Sequence, residues 1–426
     1  MAFPRNSLRN FLVHAKKALR TAISNDEKVT FVIGNESADL DSMTCSLLFA
    51  YLRSQRPPKN AFTPLYIPVT NIPANDIHLR PEFLALLPHA NLEPDHLITL
   101  DDLAPLDKLE KKLNPKKTRW ILVDHNALQG ILGHVYGHRV EGCIDHHDDE
   151  HKVPKDTGDE PRIIEKSGSC TSLVTEYMRS PWDHLSSEGR SSGAAHGQSD
   201  DNVPVKDAYQ INLWDAQMAK LALASVLIDT SNLTSPSKTT DHDRKAVKYL
   251  EAKVTLQDSS FDKDKFFGAI SHAKQDIGSM RLYDILRKDY KQWDDDGFQL
   301  GISSVVKPVE FLRSKVKEER GDEHLFWQAL GRYTGDKGVE LYSIMTSYSD
   351  DNGEHQRQLL LWALSEKGKK AAEKFAETSA EELELEELIG EWVAADVGWK
   401  KVWRQKNLGA SRKQVAPLLR KTVQVQ

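Results

Sequence analysis

The chain has 426 residues, 39% of them hydrophobic, with nine Trp, a length beyond what one core supports, so two or more domains are expected. A formal net charge of −6 excludes a protein that coats nucleic acid, although 57 Lys and Arg leave room for a local basic groove. Three cysteines in apolar runs, Cys45, Cys143 and Cys170, exclude a disulfide framework and suit a reducing compartment, and no apolar run is long enough to span a membrane.

Met1 to Asn25 contains no acid, and Leu8, Phe11, Leu12, Ala15, Leu19 and Ile23 fall on one helical face. The pattern predicts a helix packed on the first domain and a cytoplasmic protein. The same basic, acid-free character describes a mitochondrial presequence, which keeps the matrix open as an alternative. The β-forming run Phe31-Val32-Ile33 ends at Gly34, and Asn35-Glu36-Ser37-Ala38-Asp39-Leu40-Asp41-Ser42 follows before a helix over Thr44–Leu52. Two carboxylates at a strand-to-helix loop suit a divalent cation, and an Asp there is also an ordinary N-cap. Leu65–Val69 and Leu97–Leu100 read as strands, with a helix near Pro81–Leu87 between them.

Thr118–Val123 runs into Asp124-His125-Asn126, and Val140–Ile144 into Asp145-His146-His147. Continuous apolar runs mark strands buried on both faces of a parallel sheet, and such sheets bind ligands at their C-terminal edge. Ser167–Thr171 precedes a helix over Ser172–Met178 as either cap or phosphate contact. Residues 180–202 are rich in Ser, Gly and Asp without periodicity and read as a disordered insertion. A helix through Lys220–Ile228 presents Asp229 at its end, and Asp241, His242 and Asp243 read as the cap of a helix over Arg244–Leu250. Asn35, Asp39, Asp41, Asp124, His146, His147 and Asp229 together suit two divalent cations, and carboxylate-rich ligands without Cys favour manganese, magnesium or cobalt.

The four acid-bearing stretches, in this order and spacing, resemble the motifs of the DHH phosphoesterases. Gly34–Ser42 is similar to the exopolyphosphatases of fungal type, cousins of the manganese-dependent (family II) inorganic pyrophosphatases, which carry His where this chain has Asn35. The resemblance implies an α/β fold: an N-terminal parallel-sheet DHH domain, a smaller C-terminal α/β (DHH-associated) domain, and an active site in the interdomain cleft. It implies Asp124 as the ligand bridging two ions, Asn35 and Asp39 at one, and Asp41, His146 and Asp229 at the other. His147 would meet substrate, and Asp145 would orient an imidazole. The expected domains are 1–254 and 266–426, with 255–265 as linker.

In the second half Met280–Trp293 is basic with interleaved aromatics, and Phe298–Val306, Val339–Thr346 and Gln358–Ala363 read as strands. Long helices are predicted over Val309–Tyr333 and from Gly368 through the acidic run Glu381–Glu387. Ala410-Ser411-Arg412-Lys413 resembles a phosphate clamp of the pyrophosphatases, and Lys291 matches a phosphate-binding Lys expected in the first helix of the second domain. Ser411, Arg412, Lys413, Lys291 and Arg357 are the expected substrate-binding residues. The resulting expectation is a monomeric exopolyphosphatase, a hydrolase of phosphoanhydrides acting on inorganic polyphosphate, with no nucleic-acid or membrane partner. A pyrophosphatase, and a prune-like phosphodiesterase or short-chain polyphosphatase with a partner-binding role, are the alternatives.

Overall fold

The apolar runs pair as one parallel sheet in a computed structural model that describes residues 5–105, 108–191, 207–350, 352–388 and 398–424. After α1 (Leu8–Asn25), strands β1 (Val29–Ile33), β2 (Tyr66–Val69), β3 (Thr118–Val123), β4 (Val140–Asp145) and β5 (Arg162–Ile164) take the order β2-β1-β3-β4-β5. All four pairings are parallel, so every strand delivers its C-terminal end to the same edge. The chain turns back across β1 to place β3 on its other side. The loops after β1 and β3 therefore meet at the switch point where open α/β sheets bind ligands.

Side-chain alternation divides the sheet between two cores. Phe31, Ile33, Trp120 and Leu122 pack with Ala15, Leu19 and Ala22 of α1. Val32, Ile121, Val123 and Ile144 pack with α2 (Leu40–Gln55), α3 (Cys170–Ser191), α4 (Asp207–Asp229) and α5 (Asp241–Gln257). Leu8, Phe11 and Leu12 join that second core, so α1 is shared between the two. All three cysteines are buried free thiols. Among the described residues no helix is long and apolar enough to cross a membrane.

The chain divides into compact units at Lys274/Gln275. The expected linker 255–265 instead spans the end of α5 and the start of α6 (Lys263–Gln275), whose Phe266 and Ile270 belong to the first unit's core. The second unit holds a six-stranded sheet. Its strands are β6 (Tyr290–Asp295), β7 (Phe298–Val305), β8 (Leu341–Thr346), β9 (Gln358–Ala363), β10 (Leu385–Glu387) and β11 (Lys400–Gln405). The order is β10-β11-β9-β8-β7-β6, with β7 and β8 parallel and the other pairs antiparallel. Helices α7 (Val309–Arg320) and α8 (Phe326–Lys337) lie between β7 and β8 in sequence. Helices α9 (Glu366–Ser379) and α10 (Arg412–Gln424) pack Ala371, Phe375, Val415 and Leu419 against the sheet's Leu300, Leu359 and Leu361.

Several local expectations are corrected. Leu97–Leu100 makes a single bridge, Thr70 to Thr99, because Asp102 caps Thr99 and turns the chain into a 3-10 helix. Lys291 lies on β6, an edge strand, and not on a helix. The long helix through Val309–Tyr333 is broken at Gly321, whose φ of +82° closes α7. The acidic run leaves the helix after Ser379, and Leu385–Glu387 forms β10, where Glu387 and Glu386 pair with Lys401 and Lys406 of the neighbouring segment. Residues 180–191 of the expected insertion continue α3, and 192–202 lie outside the described residues.

Candidate metal centre

Asp124 stands at the end of β3 with φ +62°, a left-handed conformation that Asp tolerates better than most residues. The bend turns its buried carboxylate toward the loop after β1. There Oδ2 accepts hydrogen bonds from Ser42 Oγ at 2.6 Å and Asn35 Nδ2 at 2.8 Å. Asn35 Oδ1 accepts from Ser37 N, so Asn35 presents its amide N–H to Asp124. Ser42 Oγ also accepts from Asn35 N. Gly34 must be glycine here, because a Cβ would lie 2.5 Å from the Ser42 Cβ. Asp39 caps α2 through Ser42 N at 3.0 Å, the ordinary N-cap role, while its side chain stays partly exposed.

Among the described residues, Asp124, His146 and His147 bring one donor atom each within 4.8 Å of one another. His146 Nδ1 lies 3.0 Å from the Ser167 carbonyl, which fixes the proton on Nδ1. The lone pair of Nε2 then faces Asp124 Oδ1 at 3.2 Å. An ionised carboxylate would repel that lone pair, so the contact takes either a proton, which the raised Asp124 carboxyl can supply, or a cation, and a divalent ion can replace the proton. His147 donates from Nδ1 to Asp145 Oδ1 at 2.8 Å, and its side chain is 27% exposed. Asp145 also accepts from His146 N and from Asn126 Nδ2.

Electrostatics separate the acids. Burial raises the Asp124 carboxyl, and Asp39, Asp41 and Asp145 push it further, well above the usual range. Burial alone would raise Asp145 too, but the hydrogen bond and charge of His147, with His146 and Asn126, hold it well below. Asp41 behaves alike: burial opposes ionisation, while His146 and donors from Thr171 and Ser169 hold it low. Its Oδ1 accepts from Ser169 Oγ, Thr171 N, Thr171 Oγ1 and Ser225 Oγ, and its Oδ2 from Cys170 N. The hydroxyl-rich start of α3 is thus capped by this internal carboxylate, and Oδ2 keeps capacity for a further partner. Asp229 ends α4 one turn beyond Ser225, on the face that reaches Asp41.

The DHH family, N-terminal domain, matches residues 29–198, and the DHHA2 domain matches residues 268–422. A "Putative exopolyphosphatase" of Schizosaccharomyces pombe is 33% identical over 426 residues, covering 98% of this chain and 96% of that protein. The chain belongs to the DHH family. "Exopolyphosphatase PRUNE1" of Homo sapiens is 24% identical over 80% of this chain and 65% of its own length. A crystal structure of a Methanococcus jannaschii "putative family II inorganic pyrophosphatase" matches with a TM-score of 0.55 over 93% of this chain and 100% of that one, at 20% identity, a likeness of fold.

In the DHHA2 unit, Arg412 opens α10 and its guanidinium holds Asp289 through the carbonyl at 3.0 Å and Oδ1 at 2.7 Å. This places it beside the start of β6, where Lys291 lies. Ser411 Oγ donates to Gln414 and accepts from Lys413 N, and the Lys413 side chain is exposed. Arg357, expected among the substrate-binding residues, is buried with Nε on the Leu408 carbonyl.

Four DHH-unit groups have contacts that the sequence did not assign. Ser42 and Asn126 carry side-chain bonds to Asp124 and Asp145, and their proximity to the motifs was the available signal. Ser225 lies one turn before Asp229. Arg80, buried, donates Nε to the Ala38 carbonyl at 2.9 Å and Nη2 to the Ser37 carbonyl, bracing the loop before Asp39. Nothing in the local sequence marks Arg80.

Proposed function

We propose that this chain is a metal-dependent exopolyphosphatase that releases orthophosphate from the ends of inorganic polyphosphate. The observation that carries this reading is the meeting of Asp124, His146 and His147 at one sheet edge, with Asp124 held against three other carboxylates. Such a site is stabilised by added positive charge. The relative at 33% identity over nearly the full chain supports the substrate class. Two divalent ions (Mn2+, Mg2+ or Co2+) would be held by Asp124, His146, Asp39, Asp41 and Asp229, with Asn35 orienting Asp124. Bound there, they supply Lewis acidity and lower the pKa of water.

The chain's own residues do the rest. Asp145 holds the proton on His147 Nδ1, so that Nε2 is oriented for the bridging oxygen of the scissile bond. Lys291, Ser411, Arg412 and Lys413 of the second unit are proposed to hold the phosphate chain, Arg412 as a planar fork and the lysines as point charges. Buried Arg357 would support the Leu408 loop instead of touching phosphate. A cytoplasmic location and a monomeric state belong to the same reading, the former supported by the packing of α1 into both cores and by the free thiols.

Incubation with each ion and with polyphosphate, pyrophosphate, a cyclic nucleotide or a short oligonucleotide tests the proposal. Orthophosphate should appear from long polyphosphate while pyrophosphate is spared. Equal or better turnover of pyrophosphate overturns the substrate assignment. Asp124→Ala and His147→Ala should each lower turnover by about 100-fold or more, and full activity in either overturns the site.

A further inference from the structure

Asp243 stands at the start of α5, where the sequence explains it as a cap for its own helix. The structure gives it a second task. Its side chain is fully buried, and each oxygen accepts three hydrogen bonds. Oδ2 takes Thr240 N at 2.7 Å, Thr240 Oγ1 at 2.8 Å and Gly168 N at 2.9 Å. Oδ1 takes Ser172 Oγ at 2.7 Å, Ser167 Oγ at 3.0 Å and Ser169 N at 3.1 Å. Four of the six donors belong to the loop 167–172, about 70 residues away in sequence. The same loop carries the carbonyl that fixes the His146 proton on Nδ1, and it supplies the Ser169, Cys170 and Thr171 donors that hold Asp41. Gly168 has no slack within it, since a Cβ would lie 2.4 Å from the Lys238 carbonyl oxygen and 2.8 Å from Asp243 Oδ2.

We propose that Asp243 is a positioning residue for the metal centre: by clamping the loop 167–172 it sets the tautomer and direction of the His146 ring and the seat of Asp41. This rests on the reading of His146 as a metal ligand. A carboxylate is needed because both oxygens face backbone N–H groups. In Asp243→Asn the amide nitrogen meets either Gly168 N and Thr240 N or Ser169 N, whichever way it is turned. The loop must then move, and the His146 imidazole loses its fixed acceptor.

Two measurements test this. Calorimetric titration of the metal-free full chain with Mn2+ should show Asp243→Asn weakening affinity by roughly 10–100-fold, the range for removing a group that orients a ligand. In protein labelled with 15N-histidine, the His146 ring of the wild type should carry its proton on Nδ1, and Asp243→Asn should shift that population toward Nε2. A purely structural Asp243 would lower the thermal midpoint but leave the folded protein's Mn2+ affinity and His146 tautomer unchanged, and that outcome overturns the proposal. Should Asp243→Asn not fold, Ser167→Ala removes one donor of the clamp and should give a smaller shift in the same direction. No shift there is equally fatal. His146→Ala separates the two levels. Unchanged Mn2+ affinity in His146→Ala overturns the ligand reading and the proposal with it. Weakened affinity there, with none in Asp243→Asn, overturns only the positioning role.

Discussion

Asp124 is costly to the protein that carries it. Its carboxyl is raised by burial and by three neighbouring acids, so the metal-free fold prefers it neutral and loses stability as pH rises above about 4. Asp124→Asn keeps the size and removes the charge. It should raise the denaturation midpoint of the metal-free protein at neutral pH while abolishing turnover. Mn2+ should then stabilise the wild type and not the variant, which paired thermal melts would show. Asp41, Asp145 and Asp243 act with the opposite sign. Each is held below its ordinary value, so each contributes stability at neutral pH that is lost as pH falls from about 4 through the folded values. At this scale the sequence was informative where an acid ends a strand, because strand type and terminal residue are both local. It was silent on Arg80 and on the second task of Asp243, whose partners lie 43 and 75 residues away.

Among the elements, α1 is the clearest case of periodicity read as packing. Phe11 is fully buried and meets Tyr51 edge-on at 5.5 Å, while Val13 on the opposite face is 53% exposed. Phe11→Ala should cost about 3–5 kcal/mol in chemical denaturation, and Val13→Ala no more than about 0.5. Destabilisation of equal size at both positions would contradict this packing. The strand β6 shows the converse. Its hairpin turns on Asp296 and Gly297, both left-handed, an Asp-Gly pair that the two-residue loop requires. That signal was present in the sequence, but the resemblance to the pyrophosphatases placed Lys291 on a helix. Gly321 was legible in the same way as the stop of α7.

At the level of the whole molecule, the proposed labour is divided between units: metal chemistry in the first, polyanion holding in the second. This makes the two separable by measurement. Arg412→Ala should raise the KM for long polyphosphate by about tenfold and flatten its salt dependence, since one charged phosphate contact is worth roughly 1.5–3 kcal/mol. Mn2+ affinity should stay within about twofold of the wild type, because every proposed ligand lies in the other unit. The Arg412–Asp289 pair is partly exposed and contributes at most about 1 kcal/mol, so the fold should survive its loss. An equal fall in Mn2+ affinity and polyphosphate affinity would count against the division.

The hydrogen bonds that seat Asp41 join residues 128 to 184 positions apart in the chain. During synthesis the loop after β1 leaves the ribosome long before Ser169, Thr171 and Ser225 exist to receive its carboxylate. The first acids of the centre must therefore wait, solvated and mutually repelling, until α4 has been made. A growing chain has no finished pocket to capture a cation early, and parallel sheets assembled from distant strands form slowly. If the proposed ions bind there, loading with metal would act as a checkpoint on completed folding of the first unit, and a truncated or misfolded product would carry no ion to stabilise it.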